Sequence, residues 1–321
     1  TIARKYDVAK DAEITLEANP ESAQEWRVLR KLRRGGFNRL SLGAQSADDE
    51  ILRSIGRVHT WEQVGSAVAA ARRAKWENLS LDLIYGLPGQ TMERWQDTVE
   101  RALALEPEHL SCYGLKVEEG TPLWARRDSA DLPDDDQQAD MYLWMVERLA
   151  AAGYGQYEIS NFARPGRASR HNRKYWRMEE YAGFGPGAHS DFGEVRYAYA
   201  RDLGAYMEGV EHGTLRVSES ETLPARERDT EYIMLSLRTV EGISQYAFEH
   251  TYRQRFAPLD RTFQKYEALG CARRTEDGWA LTPKGFLLSN TIITDLWEAN
   301  GAEKVRREQA AARGDFRIVL P

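Results

Sequence analysis

Four short runs with a period of two, separated by stretches of helical spacing, constrain this chain more than any other feature. Glu13–Ala18, Arg39–Gly43, Leu79–Ile84 and His109–Leu115 alternate side by side and read as strands. Between them, Val64, Ala67, Val68 and Ala71 share one helical face, as do Trp95, Val99, Ala102 and Leu103. Strand–helix repeats of about 30 residues call for a parallel sheet with right-handed crossovers. Four such strands make part of a barrel or of an open sheet.

Strand parity then points to a site. Ile14, Leu16 and Ala18 fall on one face of the first strand, and Thr15 and Glu17 on the other. Leu40 and Leu42 oppose Ser41 and Gly43, with Gln45 just beyond. Leu79, Leu81 and Leu83 oppose Ser80 and Asp82, and Leu110 and Cys112 oppose Ser111 and Tyr113. A buried parallel sheet is normally apolar on both faces. Here one face is polar on every strand, with its carboxylates and amide expected near the C-terminal strand ends, where α/β ligand sites form. A single carboxylate on a strand is ordinarily solvated or structurally paired. Asp82 differs, because LSLDLIYGLPG surrounds it with apolar residues. A carboxylate there needs a bound partner, or burial raises its pKa.

Composition narrows the classes. The chain has 321 residues, 42% apolar and 29% charged, with a formal net charge of −6. That charge gives no footprint for general nucleic-acid binding. No run approaches about 18 apolar residues, so no integral membrane segment is expected. The first residues carry no apolar signal core, which suggests a cytoplasmic protein. The only two cysteines, Cys112 and Cys271, are far apart and fit no zinc or iron–sulfur spacing. Each reads as a small buried hydrophobe. The chain begins with Thr, so its true start is expected upstream.

Beyond Pro122 the pattern changes. RRDSADLPDDDQQAD is a polar loop whose acidic run reads as a solvated helix entry. The helix that follows carries Tyr142, Met145, Val146 and Leu149 on one face and ends near Gly153. YGQYEISNFA leads to HNRKYW (171–176) and YAGFGPGAHS (181–190), which crowd His171, Tyr175, Trp176, Tyr181, Phe184 and His189 together. Gly183, Gly185 and Gly187, with Gly193 beyond, imply backbone packed closely against something. A tight structural corner and a ligand pocket both fit. From about Leu223, Ile233, Met234, Leu237 and Val240 lie at helical spacing. A helix near Leu259–Leu269 and a hairpin at Ala272–Thr282 follow, a succession resembling a winged helix. It lacks a basic third helix, so packing or partner binding is favoured over DNA. The tail after Trp297 reads as a charged, frayed helix.

EITLEANP, NRLSLGAQS, IGRVH, LDLIYGLPGQT, HLSCYGLKVEEGTP, HNRKYW and YAGFGPGAHS occur in that order. Together they resemble the radical S-adenosylmethionine (SAM) family of oxygen-independent coproporphyrinogen III oxidase and the HemW-type haem chaperone. The resemblance spans residues 12 to 290. It implies a partial (β/α)6 TIM-like barrel with its first strands missing and a winged-helix-like C-terminal domain. The implied division is 1–120 for the truncated barrel, 121–215 for its completion and the connecting region, 216–298 for the winged helix and 299–321 for the tail. It also implies that Glu17, Gln45, Arg57 and Asp82 contact SAM, the arginine as a fork for the methionine carboxylate.

EANP, AQS and EEGTP favour the chaperone branch, and HNRKYW resembles its HNxxYW motif, linked to haem. His171 is therefore a candidate haem-iron ligand, with Tyr175 and Trp176 placed to stack on the porphyrin. A hydrogen-bonded corner histidine is the other reading of His171. The family's CxxxCxxC motif and GGTPS-like turn are absent, so a [4Fe-4S] cluster would need ligands upstream of Thr1. The expected partners are haem and haem-acceptor proteins of the respiratory chain. Coproporphyrinogen III oxidation and cluster-free haem binding are the alternatives, so enzymatic activity stays open.

Overall fold

The structure is a computed structural model describing residues 2–129 and 131–312. Contacts divide it into two compact units, Thr1–Arg170 and His171–Pro321.

In the first unit a short turn, α1 (Ile2–Lys5), precedes β1 (Thr15–Ala18) and α2 (Trp26–Arg34). Then come β2 (Arg39–Gln45), α3 (Asp49–Ser54), α4 (Trp61–Arg73), β3 (Leu79–Tyr85), α5 (Met92–Ala104) and β4 (His109–Gly114). Helix α6 (Asp135–Ala151) leads to β5 (Gly155–Glu158) and β6 (Asn161–Ala163). The strands form one sheet in the order β1-β2-β3-β4-β6-β5. The first four are parallel, and the β5–β6 hairpin adds antiparallel to β4. This is the α/β parallel-sheet class that the strand–helix repeat implies, in the arrangement expected from the family resemblance.

The apolar face packs as parity requires. Leu40, Leu42, Leu79, Leu81, Leu83 and Leu110 are fully buried, beneath Val64, Ala67 and Ala71 of α4 and Trp95, Val99 and Ala102 of α5. Trp76 and Trp95 satisfy their indole N–H groups on the carbonyls of Leu29 and Met141, each at 3.2 Å. The acidic run opens α6 as expected: Asp134 caps the helix in a reciprocal pair with Gln137.

The second unit begins with α7 (Arg170–Trp176), whose first residue closes the first unit. Strands β7 (His189–Phe192), β8 (Val195–Tyr199) and β9 (Val217–Thr222) form an antiparallel sheet, with α8 (Leu203–His212) between the last two. Helices α9 (Asp229–Ser236), α10 (Gln245–His250) and α11 (Ala257–Ala268) follow, with β10 (Ile243–Ser244) before α10. The hairpin β11 (Ala272–Thr275) and β12 (Gly278–Leu281) completes a small sheet, β10-β12-β11. This is the winged-helix-like arrangement. Arg228 joins Asp191 at 2.5 Å and Glu231 at 2.9 Å, tying β7 to the helices.

A short helix, α12 (Pro283–Leu287), and a long one, α13 (Ser289–Ala312), end the described chain. Residues 298–312 continue the helix rather than fray as the charged composition suggests. Asn300 and Lys304 both bond Asp229, which is almost fully buried, and that anchor carries the helix onward. Residues 313–321 lie outside the described part.

Candidate functional site

The polar face of the first sheet is a connected surface. Register aligns Glu17 with Ser41, Ser41 with Ser80 and Ser80 with His109. One step up, Asp82 aligns with Ser111, and Ser111 with Asn161. The Ser41 hydroxyl lies 3.2 and 3.1 Å from the two carboxylate oxygens of Asp82. Burial raises the Asp82 pKa, against the pull of the Ser111 and Ser41 hydroxyls and the Arg39 charge; Glu17 adds to the rise. Asp82 lies in the middle of β3 rather than near its end, because that strand continues to Tyr85.

Gln45 ends β2 through a bulge and has φ 63, a left-handed conformation uncommon outside glycine. The turn brings its amide back over Gly43, where a Cβ would lie 2.8 Å from Nε2. A side chain at 43 would therefore push the Gln45 amide aside. His59 is buried, and its Nε2 lies 3.2 Å from the Ala44 carbonyl, fixing the segment just before Gln45. Arg57 follows α3 and donates to Asn19 Oδ1 at 3.4 Å; Asn19 also borders Gly43. The structure thus gathers the EANP, GAQ and GRVH segments at one place. Glu17 is exposed on β1.

Beneath Asp82 lies a network that the sequence reading missed. His109 is fully buried, with Nδ1 2.8 Å from the Ser80 hydroxyl and 3.3 Å from Arg39 Nη2. A guanidinium only donates, so Nδ1 accepts and the ring proton sits on Nε2, which donates to Tyr157 at 2.8 Å. Burial and the Arg39 charge hold the His109 pKa well below 6.5. Further along, burial pushes Glu158 up to about 7 although Asn161 and the Ser160 N–H bond its carboxylate. Arg39 and His109 stand two residues before Ser41 and Ser111 and so share their face, but the contact to Tyr157 required the fold.

In the second unit, HNRKYW forms α7. His171 Nε2 lies 3.0 Å from the Tyr175 hydroxyl, and the two rings meet edge-on at 4.9 Å. Tyr175 then meets Tyr181 at 4.7 Å. Both His171 and Tyr175 are exposed. Trp176 is not part of this stack: it lines a groove with Tyr232, Ile243 and Asp277, as a residue five positions after His171 leaves its helical face. In the glycine-rich loop, a Cβ on Gly183 would collide with the His189 carbonyl, and Gly185 has φ 119. Gly183 therefore packs as a structural corner, while Phe184 beside it stays exposed.

A parallel α/β unit with a polar face, followed by a winged-helix-like unit, defines a radical SAM type of architecture. Residues 1–102 match the Radical SAM superfamily and residues 223–288 the HemN C-terminal domain. The chain is 35% identical over 287 residues to the heme chaperone HemW of Bacillus subtilis (strain 168), covering 88% of this chain and 75% of that protein. It is 37% identical to HemW of Lactococcus lactis subsp. lactis (strain IL1403), covering 91% of this chain and 77% of the relative. The solved coproporphyrinogen III oxidase HemN of Escherichia coli, a radical SAM enzyme, superposes with a TM-score of 0.76 at 26% identity. That match covers 92% of this chain and 71% of HemN. The chain belongs to the HemW family of radical SAM proteins.

The residues present fit SAM: a carboxylate ringed by hydroxyls, an amide and an adjacent guanidinium. They do not fit an iron–sulfur cluster. Cys112 and Cys271 are each buried, one in each unit, and no group of three potential ligands occurs among the described residues. Among the described residues no helix is long and apolar enough to cross a membrane.

Proposed function

We propose that this chain is part of a cytoplasmic haem chaperone that holds SAM on the polar face of its first unit, binds haem at α7 and passes it to acceptor proteins. The observation that carries the haem assignment is the exposed His171, held edge-on by Tyr175 at the start of the second unit. An imidazole is a good axial donor, and the tyrosine pair offers aromatic contact. In the first unit, Asp82 and Glu17 accept from ribose hydroxyls or the amino group, and Arg57 takes the methionine carboxylate. When bound, SAM is the source of the family's radical chemistry; no step here runs through a cluster. The division into 1–120, 121–215, 216–298 and 299–321 belongs to this proposal.

Spectral titration with haem tests the assignment. Wild type should shift the Soret band and His171→Ala should lose most of that shift; an identical shift and affinity in both removes His171 as the ligand. The likeness to HemN supports a second reading, oxidative decarboxylation of coproporphyrinogen III. Formation of protoporphyrinogen IX by a cluster-loaded form would decide for it. A third reading, cluster-free haem binding, predicts the same titration without iron–sulfur absorbance.

A further inference from the structure

Helix α2 carries more positive charge than its place in the fold explains. Five of its nine residues are cations and none is acidic, in a chain whose formal net charge is −6. At about 100° per residue, Trp26, Arg27, Arg30, Lys31 and Arg34 fall on one side of the helix, away from the buried Leu29. All four of these cations are exposed. The last turn of α4 adds Arg73, while its neighbour Arg72 is occupied by Glu108 at 3.0 Å. Three guanidinium groups converge on the Trp26 ring: Arg73 at 4.2 Å from its centroid, Arg27 at 5.3 Å and Arg30 at 5.8 Å. Arg27 has Glu25 at 3.9 Å, both side chains largely exposed. Among the described residues Arg30, Lys31, Arg34 and Arg73 form no ion pair.

This arrangement works against the helix. Arg27 with Lys31 and Arg30 with Arg34 are like charges four residues apart, and Arg27 sits in the first turn, where the helix dipole disfavours a cation. We infer that the surface formed by α2 and Arg73 docks a carboxylate-rich segment of a partner protein. Each guanidinium offers a planar fork that matches a carboxylate. Tryptophan and arginine are also the residues that most often dominate the energetics of protein–protein contacts. The guanidinium groups over the indole take the faces on which a nucleic-acid base would stack. Trp26 is the one large apolar side chain on that side of α2, so the helix has no apolar stripe to lay in a bilayer. The inference is independent of the haem reading.

Fluorescence anisotropy with a dye-labelled oligoglutamate peptide tests it. Wild type should bind this peptide, more weakly as salt rises, and should ignore oligoglutamine of the same length. Arg30→Gln combined with Arg34→Gln should weaken the peptide about tenfold or more, the scale of lost charge-assisted contacts. Arg226→Gln combined with Arg261→Gln removes the same charge from exposed positions of the second unit and should leave the affinity unchanged. Urea unfolding gives a second readout: with the like-charge pairs relieved, the α2 variant should be at least as stable as wild type. A lower unfolding midpoint would show that the arginines serve the fold, and that overturns the proposal. So does a wild type that ignores oligoglutamate, or one that binds it no better than the α2 variant does. Tighter binding of a single-stranded oligonucleotide of equal charge, or of vesicles containing anionic lipid, overturns it too when the α2 variant loses that binding.

Discussion

The polar face of the first sheet and the α7 segment of the second unit are both candidate ligand sites, but they are built differently. Asp82 sits in a sheet whose other face is fully buried along β2, β3 and β4, and its hydroxyl and guanidinium neighbours come from adjacent strands. His171 is exposed on a seven-residue helix, and the partner described for it lies one turn away. The sheet site is held in place by the core, so its geometry precedes the ligand. The His171–Tyr175 contact in the helical site is local, and iron ligation through Nε2 would require giving it up. Preorganisation favours affinity in the first, and its lack in the second favours exchange, as the proposed release of haem requires.

The contrast can be broken most forcefully through the core. Leu81 lies directly beneath the polar face and is fully buried. Leu81→Ala should cost about 2–5 kcal/mol by urea unfolding. A loss under about 1 kcal/mol would mean that the sheet does not depend on that layer.

Two buried groups should give the first unit opposite pH slopes. His109 has a lowered folded pKa, so its contribution is present above 6.5 and is lost as the pH falls toward the folded value. Glu158 has a raised one, so its contribution is complete below 4.5 and is lost as the pH rises through about 7. Unfolding free energies of His109→Gln and Glu158→Gln from pH 4.5 to 8 should each lack the corresponding slope. Curves parallel to wild type would show that these groups titrate alike in both states.

The smallest effect belongs to the second site. Glu241 joins Arg173 of α7 at 2.5 Å and Arg177, just past the helix, at 3.0 Å, all on partly exposed side chains. Glu241→Gln should cost at most about 1 kcal/mol of stability, and less in high salt. A larger, salt-independent loss would make α7 as rigidly fixed as the sheet.

The difference between the sites also explains what the sequence disclosed. Four strands began within two residues of their expected starts, because the period-two leucines have one buried place to go. Ser41, Asp82 and Ser111 came together as parity implied. Parity could not supply the bulge that turns Gln45 back over Gly43, nor the bond from His109 to Tyr157 across 48 positions. In the second unit the hairpin at Ala272–Thr282 was visible but the β7-β8-β9 sheet was not: β7 and β8 are four and five residues long, and β9 is exposed throughout, so no apolar alternation marked it. The aromatic crowding in HNRKYW was visible, but only the helix showed that His171 and Tyr175 share a face that Trp176 leaves.

The most direct test of the sheet site is equilibrium binding of SAM to wild type and Asp82→Ala, with unfolding curves confirming that both fold. Asp82→Ala should weaken binding by about 1–3 kcal/mol, the cost of an unmade buried polar contact. Equal affinity in the two proteins would contradict the assignment of the polar face as the SAM site.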